Sequence, residues 1–388
     1  MNVLMITSYP AIEGKIIGGV QSVATTLVPA LLNTKEIDNL YVLCFYVGQP
    51  PLKSNIQKGK INIFFRRAPN FLEAPTFFLV DNIRAWMIAN RVHPDLIHGQ
   101  GLGKAGYIAT HLGYPSVVTV HGISSREALL EPINLRNNIR IWLADRRVKS
   151  TLRNANTVIS TTKYDRKIVN RQVSGQHLLI HNPVSSEYFN KENHDYSNNK
   201  PDTYEILFAG TLIPRKNIIG IIRAFKDVLT QIPNANLTLL GPQIDQSYLQ
   251  KCRSLTEELG LTPKINFLGH VGQEELIDRL RKCACLVMFS NEETSPTIIM
   301  QAMAMGKPVV ASSVGGIPEL VDPENTGYLV NKQDEIDLSQ KLIALLRDDQ
   351  GRLRMGNKAR EFALENFNPA KVAALTVEAY RFALGHQG

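Results

Sequence analysis

FSNEETSPTIIMQAMAMGKPVVASSVGGIPELV, residues 289–321, decides how the chain is read. The apolar run CLVMFS ends at Ser290 and reads as a buried strand. An acidic loop follows, and a helix begins near Pro296 or Thr297, with proline in a permitted first-turn position. That helix, TIIMQAMAM, leads to PVVAS, a further strand. Strand, loop, helix and strand in this order make one unit of a parallel α/β sheet. Met300, Met303 and Met305 read as helix core. Glu293 stands just before the helix and Gln301 lies in its second turn. Eight residues at helical rise would separate them by ~12 Å, a span suited to opposite ends of one extended ligand.

The same alternation runs outward from this stretch. Before it come the strand EILFAG, the loop TLIPRKN, a helix over 217–231 and the strand NLTLLG. The helix SYLQKCRSLTEELG, the strand INFLGH and the helix EELIDRLRKC follow. After it come GYLV and helices over roughly 335–348, 352–366 and 369–384. The N-terminal half repeats the theme: NVLMIT, a glycine loop EGKIIGGV, the amphipathic SVATTLVPALL, then LYVLCFYV, DLIHG, SVVTVHG and TVIST. These runs have the continuous apolar character of parallel strands buried on both faces. Residues 185–203 are polar and read as a linker. The fold class is α/β: two Rossmann-like, doubly wound domains over 1–185 and 204–370, a linker over 186–203 and a C-terminal helix over 371–388.

Composition agrees. The chain has 388 residues, 44% hydrophobic and 20% charged, which excludes global disorder, collagen and coiled coil. The net charge of +8 is uneven. Residues 1–190 hold 21 basic against 11 acidic side chains, a net of +10; the remainder holds 22 against 24, a net of −2. A basic half favours an anionic partner: a phosphate-bearing ligand, an anionic membrane or a nucleic acid. The cysteines are Cys44, Cys252, Cys283 and Cys285. Cys283 and Cys285 form C-x-C rather than C-x-x-C, and Cys285 opens a strand and reads as core. MNVLMITSYP lacks the pattern of a secretory signal, and no run of 18 apolar residues exists, so a cytoplasmic chain is expected.

Three more features bear on function. Gly18 and Gly19 precede the first helix, where glycines admit either a close phosphate or simply a tight turn. Arg215-Lys216-Asn217 follows the first strand of the second half, a position that suits phosphate oxygens. LRNNIRIWLADRRVKSTLRN (135–154) sets Arg136, Arg140, Arg146, Arg147, Lys149 and Arg153 around Ile139, Trp142, Leu143 and Val148. A basic amphipathic helix of this kind either rests on an anionic membrane or packs one face on its own sheet.

The motifs GGV, PRKN and E-x7-Q-AMA-x-G-x-PVVAS…GGIPELV, in this order over nearly the whole chain, resemble the retaining glycosyltransferase family four, the group 1 glycosyltransferases of GT-B fold. The resemblance implies a nucleotide-diphosphate sugar donor held mainly by the second domain, and a glycan or lipid-linked acceptor. It implies that Arg215 and Lys216 hold the diphosphate with the Gly19 amide, and that Glu293 lies beside the donor sugar. Thr294, Ser295, Pro296 and Thr297 would reach sugar hydroxyls, and Gln301 would take the ribose in place of the family's usual acidic residue. Gly269, His270 and Val271 would border the nucleobase, with His270 alternatively facing solvent. His121 would lie near the donor sugar on the acceptor side. Asn182-Pro183-Val184 matches a domain junction, and the last helix would cross back to the first domain. Thr211 stands where many members carry Arg, a cation that Arg215 supplies. His98 reads as strand-end scaffolding, with Gln100 where the family often has a second histidine.

The implied activity is retaining transfer of a sugar, with no metal and no cofactor, in cell-surface polysaccharide synthesis. The expected location is cytoplasmic or peripheral on the inner membrane face, with contact through the helix near 135–154. Alternatives are a sugar-nucleotide epimerase or hydrolase of the same fold, and a polyanion-binding protein. Basic residues are not interleaved with aromatics and no nucleic-acid motif appears, so nucleic acid is not an expected partner. A dehydrogenase would need G-x-G-x-x-G in the opening loop, which is absent.

Overall fold

A computed structural model describes residues 1–12, 14, 16–47, 51, 53–69, 78–122, 135–190 and 204–385. Compactness divides the chain into two units. The first comprises Met1–Glu13, Val20–Pro183 and Pro369–Gly388; the second comprises Gly14–Gly19 and Val184–Asn368. Most of the polar stretch read as a linker, residues 191–203, lies outside the described residues. Its start, Ser186–Phe189, is a 3₁₀ turn with Tyr188 buried.

The first unit is built on an eight-stranded sheet in the order β3-β4-β2-β1-β5-β6-β7-β8. The strands are β1 (Asn2–Ile6), β2 (Asn39–Tyr46), β3 (Asn55–Lys58), β4 (Ile61–Arg67), β5 (Leu96–Gln100), β6 (Ser116–Val120), β7 (Thr157–Ser160) and β8 (Gln176–Leu179). All pairings are parallel except β3 with β4. The order reverses between β1 and β5, the place where ligands collect in open α/β sheets. One face carries α1 (Gly19–Leu32) and the C-terminal helix, here α12 (Pro369–Ala383), whose Val372, Val377 and Tyr380 join one core with Leu27 and Leu31. The other face carries α2 (Leu79–Val92), α3 (Lys104–Ala109) and α4 (Leu135–Asn154). Beyond β7, α5 spans Lys163–Val169 and starts with a Thr162–Asp165 capping box.

The second unit is built on a six-stranded, all-parallel sheet in the order β11-β10-β9-β12-β13-β14. The strands are β9 (Glu205–Ala209), β10 (Asn236–Leu240), β11 (Ile265–Gly269), β12 (Cys285–Met288), β13 (Val309–Ser312) and β14 (Gly327–Val330). The helices are α6 (Ile218–Gln231), α7 (Gln246–Glu258), α8 (Gln273–Lys282), α9 (Thr297–Ala304), α10 (Glu335–Arg347) and α11 (Asp349–Asn366). Its order reverses between β9 and β12. β12 is buried throughout, Cys285 included, which a parallel strand covered on both faces requires.

Several elements were not legible in the sequence. β3 is the short polar NIQK, too brief for a periodicity. α2 is apolar on both its faces and so shows no clean helical stripe. α9 begins at Thr297, with Pro296 in the capping position before it, not in its first turn. Glu293 therefore sits on irregular backbone, and the helical ~12 Å span to Gln301 does not hold, because only the last few residues between them are helical.

Candidate active site

The second unit gathers its chemistry at the carboxyl ends of β9 and β12. After β9 the chain turns through Gly210–Ile213 into a 3₁₀ turn, Pro214–Lys216. Asn217 ends that turn in the left-handed region (φ 50°), and its side-chain oxygen accepts from the Gly220 N–H to cap α6. This fixes where Arg215 and Lys216 stand. After β12 the loop through Glu293 is tied to the same turn, since the Asn291 N–H donates to the Arg215 carbonyl at 2.8 Å.

Glu293 is 6% exposed and Lys216 is 9% exposed. Lys216 Nζ donates to Glu293 Oε1, and Arg215 Nη1 lies 3.4 Å from Glu293 Oε2. Arg215 also donates to the Glu292 carbonyl at 2.8 Å. Burial alone would raise the Glu293 carboxyl; the charges of Lys216 and Arg215, with hydrogen bonds from Lys216 and Ser290, outweigh it and hold the group below the usual range. The site is thus an ionised carboxylate held between a buried ammonium and a partly exposed guanidinium.

A third loop supports it. Gly315 lies at φ 54°, and a Cβ there would fall 1.6 Å from the Glu293 carbonyl oxygen. The Gly316 N–H donates to that same oxygen at 3.1 Å. Ser312 Oγ, at the end of β13, donates to the Ser290 carbonyl at 2.6 Å. The two glycines of SVGGIPELV therefore hold Glu293 in place, a role the motif did not disclose. Lys307, in the same stretch, is structural: its ammonium donates to the carbonyls of Arg281 and Cys283.

Thr294, Ser295 and Pro296 carry the chain from Glu293 to Thr297, the first residue of α9. Gln301 is buried on that helix, 7% exposed. Gly14–Gly19 groups with this unit, and a Cβ on Gly19 would lie 3.5 Å from Thr297 Oγ1. Gly269 ends β11 at φ 73°, followed by exposed His270 and half-buried Val271. Gly241, after β10, had given no signal in the sequence. It lies at φ 140°, and a Cβ on it would fall 2.0 Å from the Gly210 carbonyl oxygen. Only glycine lets these two strand ends approach so closely.

The first unit has its own cluster. His121 follows β6, and Gln100 ends the neighbouring β5. The Gln100 amide nitrogen lies 3.3 Å from His98 Nε2 and donates to it, which leaves the amide oxygen to accept from His121 Nε2–H. The Thr119 hydroxyl donates to the same His98 nitrogen at 2.8 Å, and His98 Nδ1–H donates to the Tyr380 oxygen of α12 at 2.8 Å. Burial lowers His98 to about 3, helped by the His121 charge, and burial lowers His121 to about 4. Both rings are neutral at pH 7, and among the described residues nothing donates to His121 Nδ1, which leaves it an acceptor.

Among the described residues no cluster of three or more His, Cys, Asp or Glu side chains has metal-site geometry, and no helix is long and apolar enough to cross a membrane.

Residues 17–188 match the family model described as Glycosyltransferase Family 4, and residues 189–362 match that described as Glycosyl transferases group 1. A D-inositol 3-phosphate glycosyltransferase of Corynebacterium efficiens is 35% identical over 178 residues, a stretch covering 45% of this chain and 42% of that protein. Less than half the length of that relative is therefore spanned. The solved sucrose-phosphate synthase of Thermosynechococcus elongatus superposes with a TM-score of 0.82 at 21% identity, over 100% of both chains. HepE of Anabaena, solved in complex with UDP and glucose, superposes with a TM-score of 0.73 at 19% identity, over 97% of this chain and 98% of that one. At these identities the structural likeness speaks for the fold, which is GT-B.

Proposed function

The chain belongs to the group 1, family 4 glycosyltransferases, and we propose that it moves a sugar from a nucleotide-diphosphate donor to a glycan or lipid-linked acceptor with retention of configuration, in cell-surface polysaccharide synthesis. The observation that carries this reading is the Glu293–Lys216–Arg215 cluster, with Glu293 and Lys216 buried, where the strand order reverses. The HepE complex with UDP and glucose, on the same fold, supports a nucleotide-sugar donor.

In this reading Lys216 and Arg215 take the diphosphate oxygens, with the Gly19 amide beside them. Two cations and the α9 N-terminus neutralise the leaving diphosphate, so no metal ion is needed. The sugar lies over Glu293 and the backbone of Thr294, Ser295, Pro296 and Thr297. Gln301 takes the ribose hydroxyls, and Gly269, His270 and Val271 border the base. The bond from the anomeric carbon to the diphosphate oxygen breaks, the acceptor hydroxyl attacks from the same face, and its proton passes to the departing diphosphate oxygen. Glu293 stabilises the positive character that develops at that carbon. His121, neutral and with Nδ1 open, accepts a hydrogen bond on the acceptor side. The basic half meets an anionic acceptor or membrane, with the helix Leu135–Asn154 as the contact.

Glu293→Ala is the direct test. Turnover should fall by at least about a hundredfold, the scale of one electrostatic group lost from an active site. Retained turnover with the true donor and acceptor would overturn the role. Thermal shifts against UDP-, GDP- and ADP-sugars identify the donor, because only a bound nucleotide raises Tm.

A further inference from the structure

α2 presents the wrong face to water. Its buried side is formed by Asp81, Ala85, Ile88 and Ala89. Its outward side holds Leu79, Val80, Ile83, Trp86 and Met87, each between 44% and 61% exposed. At 100° per residue, positions 79, 83, 86 and 87 fall on one stripe, with Val80 at its margin. A surface helix normally turns polar residues outward. Here Asn90 is the polar residue within the stripe, and Arg84 and Arg91 border it on the Val80 side.

The surroundings are cationic. Arg84 Nη1 donates to the Arg67 carbonyl at the end of β4. Arg66, one residue earlier, is lowered by burial first and then by the neighbouring charges of Arg84 and Arg91. Asp81 is the acid of α2, and it is buried against Lys104 at 2.7 Å.

α4 adds a second patch on the same side of the sheet. Ile139 and Trp142 are both more than half exposed, and the Arg146 guanidinium lies 4.9 Å from the Trp142 ring centre. The two helices share an anchor: Arg147 of α4 and Lys104 of α3 stack on Phe78, the residue before α2, at 4.9 and 5.5 Å. Trp86 and Trp142 are the only tryptophans in the chain, and both are half exposed on this one face.

We propose that α2, with the exposed turn of α4, is a docking face for an anionic phospholipid surface. Charge decides the occupant. An apolar stripe bordered by arginines, with both tryptophans on the same face of the sheet, matches a bilayer interface: apolar side chains enter the acyl boundary, indoles sit at headgroup level and guanidiniums meet phosphates. The proposal supplies the apolar anchor missing from a basic helix alone. It rests on the membrane-side acceptor proposed above for its purpose, though not for its physics.

The test uses the full chain with vesicles of phosphatidylglycerol and phosphatidylcholine, and with vesicles of phosphatidylcholine alone. Cosedimentation should show binding to the anionic vesicles at least tenfold tighter than to the neutral ones, with a blue shift of tryptophan emission. The triple variant Ile83→Gln, Trp86→Gln, Met87→Gln should lose at least tenfold in binding while keeping the wild-type Tm and circular dichroism. Added salt should weaken wild-type binding without abolishing it. Equal binding by the triple variant overturns the proposal. Loss confined to a Trp142→Gln, Arg146→Gln variant also overturns it and leaves the basic helix as the sole contact. A wild-type dimer that the triple variant dissociates, with no vesicle binding, makes the face a protein interface instead. Failure of all vesicle binding alongside intact transfer to a water-soluble acceptor sinks both membrane statements and spares the catalytic one.

Discussion

Lys216 Nζ donates directly to Glu293 Oε1, although the two residues stand at the ends of different strands, β9 and β12. With Arg215 at 3.4 Å from the other carboxylate oxygen, the carboxylate occupies the cations assigned to the diphosphate. Donor binding must therefore re-share them. Glu293→Gln keeps the shape and removes the competitor. Free nucleoside diphosphate should then bind several-fold tighter by calorimetry, while turnover falls by about a hundredfold or more. The empty variant should lose about 3 kcal/mol of stability, because two cations are left without their carboxylate. Unchanged affinity for the nucleoside diphosphate would show that the pair is not in competition with the ligand.

Gly315 tests whether the third loop places Glu293. Its φ of 54° and the close approach to the Glu293 carbonyl oxygen leave no room for a methyl group. Gly315→Ala should cost at least about 2 kcal/mol in denaturant unfolding, beyond the cost of a left-handed alanine alone. Turnover should fall as well, since the loop can relieve the clash only by moving Glu293. A variant of normal stability and normal turnover would disprove the supporting role.

The Gln100 amide sets the protonation pattern of His121. Gln100→Leu removes the acceptor for Nε2–H and should lower kcat about tenfold with donor KM unchanged, because the ring is held but does not contact the donor through that nitrogen. Gln100→Glu keeps an acceptor oxygen and adds a charge. A carboxylate beside the imidazole raises its pKa from about 4. If neutral His121 is the working form, activity is lost as pH falls through that pKa. The acid limb of the rate profile should therefore move to higher pH in Gln100→Glu. A profile identical to wild type would leave Gln100 a packing residue.

The parallel sheets were legible because buried strands announce themselves: NVLMIT and CLVMFS have no polar face to blur the pattern. The cations of PRKN and the carboxylate of NEETSP were legible as residue types at strand ends. Their contact was not, since β12 pairs with β9 only after α6, β10, α7, β11 and α8 have intervened. Long-range pairing leaves no local periodicity. Gln100 was visible only as the residue where the family often has a histidine. Its bond to His121 depends on β5 and β6 lying side by side. The outward face of α2 left no signal for a different reason: apolar residues on both faces of the helix give no clean stripe, and only their exposure tells the outward ones apart.

Gln301 stands where an acidic residue is usual, so the natural chain invites the reverse substitution. A carboxylate accepts from a diol with charge assistance, roughly doubling the strength of a neutral hydrogen bond. Gln301→Glu should therefore tighten donor binding by about five- to tenfold, if the ribose is where it is assigned. Burial sets a counterweight: at 7% exposed, a new carboxylate pays for desolvation when the site is empty. The empty variant should melt earlier than the wild type, and a saturating donor should restore the difference in part. The pairing of lower Tm without donor and larger donor-induced shift is specific to a ligand-facing position. A lower Tm with an unchanged shift would place Gln301 in the core of α9, away from the ribose.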